Sequence, residues 1–148
     1  MIRVQEAPFD AGAELKAFQA GGASGACVLF VGTVRDRSDG RQVDAMTLER
    51  YPGMTEKALA EIEAEARRRW PLDDVLVIHR YGRLAPGDDI VLVLTRSAHR
   101  EAAFESAGFL MDWLKTKAPF WKLEEGPKGA RWVEAKDSDD EAAAKWKR

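Results

Sequence analysis

One cysteine and two histidines are the whole thiol and imidazole complement of this 148-residue chain. A lone Cys27 excludes an internal disulfide and every multi-cysteine metal site. With only His79 and His99 available, a histidine-based metal centre is not expected, so the metal ligands are none. Cys27 lies inside the run Ala26-Cys27-Val28-Leu29-Phe30-Val31, where a thiol is expected to be a small buried hydrophobe and not a nucleophile. Glycine-rich phosphate loops, HExxH and GxSxG are missing as well. No apolar run approaches the roughly 18 residues of a membrane span. The start, MIRVQEAPFD, carries acids and no apolar stretch of the secretory kind. A cytoplasmic location is therefore expected. Neither sign of charge prevails: the formal net charge is −2, so no global positive field draws the chain onto nucleic acid or anionic lipid. Anion binding would have to come from local clusters.

What is present fits a soluble globular chain, with 45% hydrophobic and 32% charged residues. The length predicts one domain over 1–148 with a real core. Asp10 is placed to cap a short helix carrying Leu15 and Phe18, which Gly21-Gly22 ends. Residues 26–34, ACVLFVGTV, read as a strand covered on both faces, followed by a polar loop through Arg35, Arg37 and Arg41. A second strand is expected from Val43 to about Tyr51, broken by Pro52-Gly53. Thr55–Trp70 is the clearest helix, because Leu59, Ile62, Ala66 and Trp70 form one stripe. Arg67, Arg68 and Arg69 at its end resemble a nucleic-acid patch. Opposite Glu63 and Glu65, however, they are expected to be structural helix charges.

Strands are then expected at Val75–Tyr81 and Ile90–Thr95, with a turn at 85–89. Ser97 is placed to cap a second long helix reaching about Lys117, and Pro119 forces its exit. A hairpin, Trp121–Glu124 with Arg131–Ala135, turns at Gly126-Pro127-Lys128-Gly129. From Asp137 onward a charged tail is expected, as a frayed and mobile helix. The order β, β, α, β, β, α, β, β predicts an α+β fold with a mainly antiparallel sheet and two long helices.

The stretch LKTKAPFWKLEEGPKGARW, residues 114–132, sets four lysines and an arginine among bulky aromatics. Lys115 lies in the last turn of the second long helix and Lys122 just beyond Pro119. An ordinary lysine, with a pKa of about 10.4, is a poor base at neutral pH. Desolvation by Phe120 and Trp121 would make this pair useful for proton transfer. The alternative is a snorkelling pair whose stems cover the rings. At the other end of that helix, His99 and Arg100 occupy a first turn rich in free N–H groups. They form either an anion site or a plain surface pair. Arg35 stands at the end of the first apolar strand. His99 and Lys115 are sixteen positions apart, roughly 24 Å along a helix rising ~1.5 Å per residue. A compact ligand needing both ends would require a second copy of the chain.

Six stretches spanning 30–136 carry a resemblance: FVGTVRD (30–36), LERYPGMTEKAL (48–59), VIHRYGRLAPGDDIVLV (77–93), SAHREAAFE (97–105), MDWLKTKAPFWK (111–122) and RWVEAK (131–136). Together, and in this order, they resemble the large, catalytic subunit of molybdopterin synthase. The resemblance implies an α/β-hammerhead-like arrangement and a sulfurtransferase of molybdenum cofactor biosynthesis. Such an enzyme converts cyclic pyranopterin monophosphate to molybdopterin. The two sulfurs would arrive on the C-terminal thiocarboxylate of a small ubiquitin-like carrier subunit, so no cofactor is bound by the chain itself. It further implies a heterotetramer built on a homodimer of large subunits.

Residue roles follow from the same resemblance. Lys115 and Lys122 would be catalytic and touch the substrate. Thr33, Val34, Arg35, Leu123 and Glu124 would line the substrate pocket, and His99 and Arg100 would bind the terminal phosphate from the neighbouring protomer. Phe30 and Met111 would contact the partner's tail. The chain departs from the usual family residues at Asp36, Lys117 and Leu123. The rival readings are a noncatalytic RNA-binding or scaffold module using Arg67 to Arg69 and the 115–132 segment, and a pterin-binding protein without catalysis.

Overall fold

The computed structural model describes residues 1–133 and 137–147. Its elements run β1 (Ile2–Gln5), α1 (Ala11–Gln19), β2 (Ala26–Thr33), β3 (Arg37–Ser38), β4 (Arg41–Gln42), β5 (Ala45–Arg50) and α2 (Met54–Arg69). They continue through β6 (Leu72–Arg80), β7 (Gly82–Leu84), β8 (Asp89–Ser97), α3 (Arg100–Lys117), β9 (Phe120–Gly126), β10 (Gly129–Val133) and α4 (Asp137–Ala144). The architecture is α+β, as expected. One four-stranded sheet has the order β1-β6-β8-β2 and another the order β10-β9-β5-β7, with β3-β4 as a small hairpin. Every pairing is antiparallel except β1 with β6.

Strand alternation divides the first sheet between two cores. Val75, Val77, Val91 and Val93 face α2 and α3, meeting Leu59, Ile62, Ala66, Phe109 and Leu110. Leu76, Ile78, Leu92 and Leu94 face the other way and meet Phe18 of α1. A strand buried on both faces loses the polar half of its pattern, and for that reason β6 and β8 read as continuous apolar runs. A third core of Val34, Met46, Leu48 and Leu84 joins the second sheet to the first.

The caps follow local chemistry. Asp10 accepts from the Ala13 N–H at 3.0 Å, as its position predicted. At the start of α2, Gly53 has φ +82° and its N–H donates to Glu56 at 2.8 Å. The expected cap Ser97 is instead the last residue of β8, its hydroxyl donating to the Pro71 carbonyl at 2.9 Å. His99 occupies the cap position of α3, without a side-chain cap bond. The sheet keeps Ser97 because Ala26 and Leu72 both pair with it.

Three further corrections concern strands. β1 is absent from the expected order, although Ile2 and Val4 alternate with Arg3 and Gln5; it adds to β6 in parallel. β2 is only partly covered, although Val28 packs on one core and Cys27 and Val31 on the other. It is an edge strand, and Phe30 remains 40% exposed with Leu29 beside it. The final hairpin opens one residue earlier than expected, at Phe120, and the expected end of its second strand at 134–135 lies outside the described residues.

The charged tail contains the helix α4, after which Trp146 stacks edge-on against Trp70 and Phe109. The Trp146 indole N–H donates to Asp112 at 2.7 Å. No helix among the described residues is long and apolar enough to cross a membrane.

Candidate active site

Three devices converge on one cleft. A register shift between Gly32 and Thr33 ends the regular pairing of β2 with β8 and turns Thr33, Val34 and Arg35 out of the sheet. Pro119 ends α3 just after Lys115, so the last helical turn faces the same space. β9 then runs along β5, pairing Phe120 with Arg50 and Lys122 with Leu48. The corner between α3 and β9 is pinned by Thr55, which is fully buried. Its hydroxyl donates to the Pro119 carbonyl at 2.8 Å and accepts from the Tyr51 N–H at 3.0 Å. A threonine in the first turn of α2 thus sets where the two lysines stand.

The resulting cavity is about 660 Å³, within the range of small-molecule sites. Phe30, Thr33, Val34, Arg35, Met111, Lys115, Lys122 and Glu124 all line it. Cationic side chains from Arg35, Arg37, Lys115 and Lys122 face carboxylates from Glu124 and Asp139 only. That excess favours an anionic occupant. Glu124 is only 6% exposed. It is held by Lys122 at 3.7 Å and Arg131 at 3.4 Å, so a buried carboxylate orients one of the lysines. Among the described residues Arg35 and Lys115 make no ion pair, leaving both free for a ligand.

Several expected residues lie elsewhere. Leu123 does not line the cavity, since strand alternation sends it to the face opposite Lys122 and Glu124. Trp121, expected beside Phe120 in the pocket wall, is likewise turned away. It is 51% exposed and packs against Tyr51 and Trp132. Adjacent strand residues cannot share a face, and that rule was already available from the sequence. His99 and Arg100 are exposed at the far end of α3 and do not line this cavity. Cys27 is outside it as well, and burial pushes its thiol pKa up.

His79 is the principal residue missed by sequence reasoning, which weighed it only as a metal ligand. It lines the cavity, is 6% exposed, and stacks on Phe120 with ring centroids 4.0 Å apart. Its Nδ1 lies 2.8 Å from the Arg80 carbonyl oxygen. Burial pulls its pKa down to about 4. Unfolding returns the ring to its ordinary value of about 6.5, so the unfolded chain binds the proton first as pH falls. This contribution to stability is complete above about pH 6.5 and is lost progressively toward pH 4. Between about pH 7 and pH 5 the loss should be about 2 kcal/mol. Urea unfolding of wild type and His79→Gln at both pH values measures it. An equal pH dependence in the two proteins would refute this.

The arginine run at the end of α2 is satisfied internally. Arg67 pairs with Glu63 and Asp74, and Arg68 and Arg69 both pair with Glu65. Hydrogen bonds from Arg68 and then Arg69 hold the Glu65 carboxyl down at about 2. Such pairing disfavours a nucleic-acid patch. Among the described residues no group of three or more His, Cys, Asp or Glu side chains could hold a metal ion.

Known proteins share this arrangement over nearly its whole length. A sequence model of the family described as MoaE protein matches residues 4–117. The chain is similar to the molybdopterin synthase catalytic subunit of Pseudomonas aeruginosa, with 58% identity over 146 residues, 98% of this chain and 97% of that one. A solved MoaE protein of molybdopterin biosynthesis from Burkholderia ambifaria superposes with a TM-score of 0.84 at 55% identity, covering 99% and 97% of the two chains. A molybdopterin synthase structure from Staphylococcus aureus does so with a TM-score of 0.79 at 28% identity, covering 89% and 96%. With fold, length and sequence in agreement, the chain belongs to the MoaE protein family.

Proposed function

We propose that this chain is the catalytic subunit of a molybdopterin synthase, converting cyclic pyranopterin monophosphate to molybdopterin in the cytoplasm. The observation that carries the reading is the 58% identity to a curated catalytic subunit over 98% of the chain. The cavity chemistry supports it. An excess of cations suits a phosphorylated substrate, and the only thiol, Cys27, lies outside the cavity. Sulfur must therefore come from another molecule. A small ubiquitin-like partner would supply it as a C-terminal thiocarboxylate, entering past Phe30 and Met111. In each transfer the thiocarboxylate sulfur bonds to a substrate carbon, and water then cleaves the resulting thioester at its acyl–sulfur bond, leaving the sulfur on the substrate and returning the tail as a carboxylate. No resident cofactor is needed.

Lys115 is assigned to acid/base work at the incoming acyl group, and Lys122 to pterin or phosphate oxygens. Arg35 and Glu124 complete the lining, with Thr33 and Val34 at the turn. His99 and Arg100 lie roughly 24 Å from Lys115 along α3. They would serve a terminal phosphate only across a dimer of this chain, within a heterotetramer.

Incubating the chain with thiocarboxylated small subunit and cyclic pyranopterin monophosphate should generate the dithiolene product. Its absence under conditions that support a related synthase would refute the reading.

A further inference from the structure

His79 has no place in the sulfur-transfer roles above, yet it presents an unusual combination in the cavity. It is a buried imidazole with one nitrogen committed and one open. A carbonyl oxygen only accepts, so the contact of Nδ1 with the Arg80 carbonyl at 2.8 Å puts the proton on Nδ1. The neutral ring then carries its lone pair on Nε2. Among the described residues Nε2 has no hydrogen-bond partner. It is also not one of the unpartnered atoms sealed from solvent, which are Arg3 Nε, Arg96 Nε and Trp113 Nε1. Because the side chain lines the cavity, the open nitrogen is the one that an occupant reaches. The near-parallel stack on Phe120, 20° between the planes, fixes the ring orientation.

The cavity otherwise offers mainly donors. Arg35, Arg37, Lys115 and Lys122 can only donate, and Glu124 is already engaged by Lys122 and Arg131. Phosphate and carbonyl oxygens of a pterin would find partners among those cations. Its ring N–H groups need acceptors, which among the lining side chains come, besides His79, from Asp139 and the Thr33 and Ser38 hydroxyls. We propose that His79 is a ligand-reading residue, its Nε2 accepting a hydrogen bond from a ring N–H of the pterin bound in this cavity. This rests on the functional reading above and extends it to the orientation of the heterocycle. An acceptor at this position discriminates against ligands that present a lone pair there, because two lone pairs would then face each other in a confined space.

Calorimetric titration of the full chain with cyclic pyranopterin monophosphate tests it. His79→Asn keeps an amide donor toward Arg80 but places nothing at the Nε2 position, whereas His79→Gln presents an amide oxygen there. About tenfold weaker binding is expected for His79→Asn, with recovery to within about threefold of wild type in His79→Gln. Equal weakening of both, or of neither, overturns the assignment. In the wild type, the NMR resonance of the unprotonated His79 ring nitrogen should move on ligand addition; an unmoved resonance overturns the assignment even where a variant fails to fold. Wild type that binds no pterin defeats the functional reading, and this inference with it. Wild type that binds normally beside an unweakened His79→Asn defeats this inference alone.

Discussion

Lys115→Ala is expected to lower product formation by roughly 10²- to 10⁴-fold, the range typical of a positioned acid/base group. Binding of the small subunit should persist. Lys115 is exposed in the last turn of α3 and lines the cavity. Alanine is the best helix former at such a position, so the fold should not suffer. Among the described residues the ammonium group has no ion-pair partner to be stranded. Lys122 is a less clean target, since removing it takes away one of the two cations beside the buried Glu124. Lys115→Arg separates charge from proton transfer, because a guanidinium stays protonated under all ordinary conditions. Substantial rescue by arginine would assign Lys115 an electrostatic role. Near-normal turnover of Lys115→Ala in a defined sulfur-transfer assay would remove it from the mechanism.

The second large effect is structural and lies at Gly25. A Cβ at this position would stand 1.9 Å from the Ala98 carbonyl oxygen. The obstacle is backbone, held because Ala26 pairs with Ser97 in the neighbouring register position. It cannot swing aside as a flexible side chain would. Gly25→Ala must therefore push β2 away from β8 or shift the entry to α3. A cost of about 3 kcal/mol is expected, at the upper end for overpacking, with Tm lowered by roughly 10 °C. Gly40→Ala is the control. Gly40 has φ +75° but nothing within 4 Å of a built Cβ, so only the left-handed conformation is penalised, by ~1 kcal/mol. Thermal unfolding of the two variants distinguishes them. Equal Tm values would show that the 98 carbonyl yields easily.

Much of this molecule was legible in its residues. The stripe Leu59, Ile62, Ala66 marked α2 because burial on one side leaves a period near 3.6. The unbroken apolar runs in β6 and β8 marked them as strands, and the two cores they separate show that both faces are covered. Arg35, Lys115, Lys122 and Glu124, expected to share a pocket through the family resemblance, do line one cavity. The arginines at 67–69 could be read as structural because their acidic partners stood three or four positions earlier.

What failed was wherever the outcome depended on distant pieces of chain. β2 reads as a buried strand from composition, but only sheet order makes it an edge. Ser97 is a good capping residue whose neighbours on two other strands keep it in the sheet. Leu123 and Trp121 failed for a different, local reason: strand alternation puts them on the face opposite Phe120, Lys122 and Glu124, as the sequence already implied. Local sequence determined the elements and the charge balance, since these follow from short-range periodicity and from counts. Only the tertiary structure decided that a lone histidine between two apolar strands would lose its water, stack on Phe120 and turn an open nitrogen to the cavity. Desolvation and contact are properties of what surrounds a residue, and residues from β2, β5, β8, α3 and β9 surround that site.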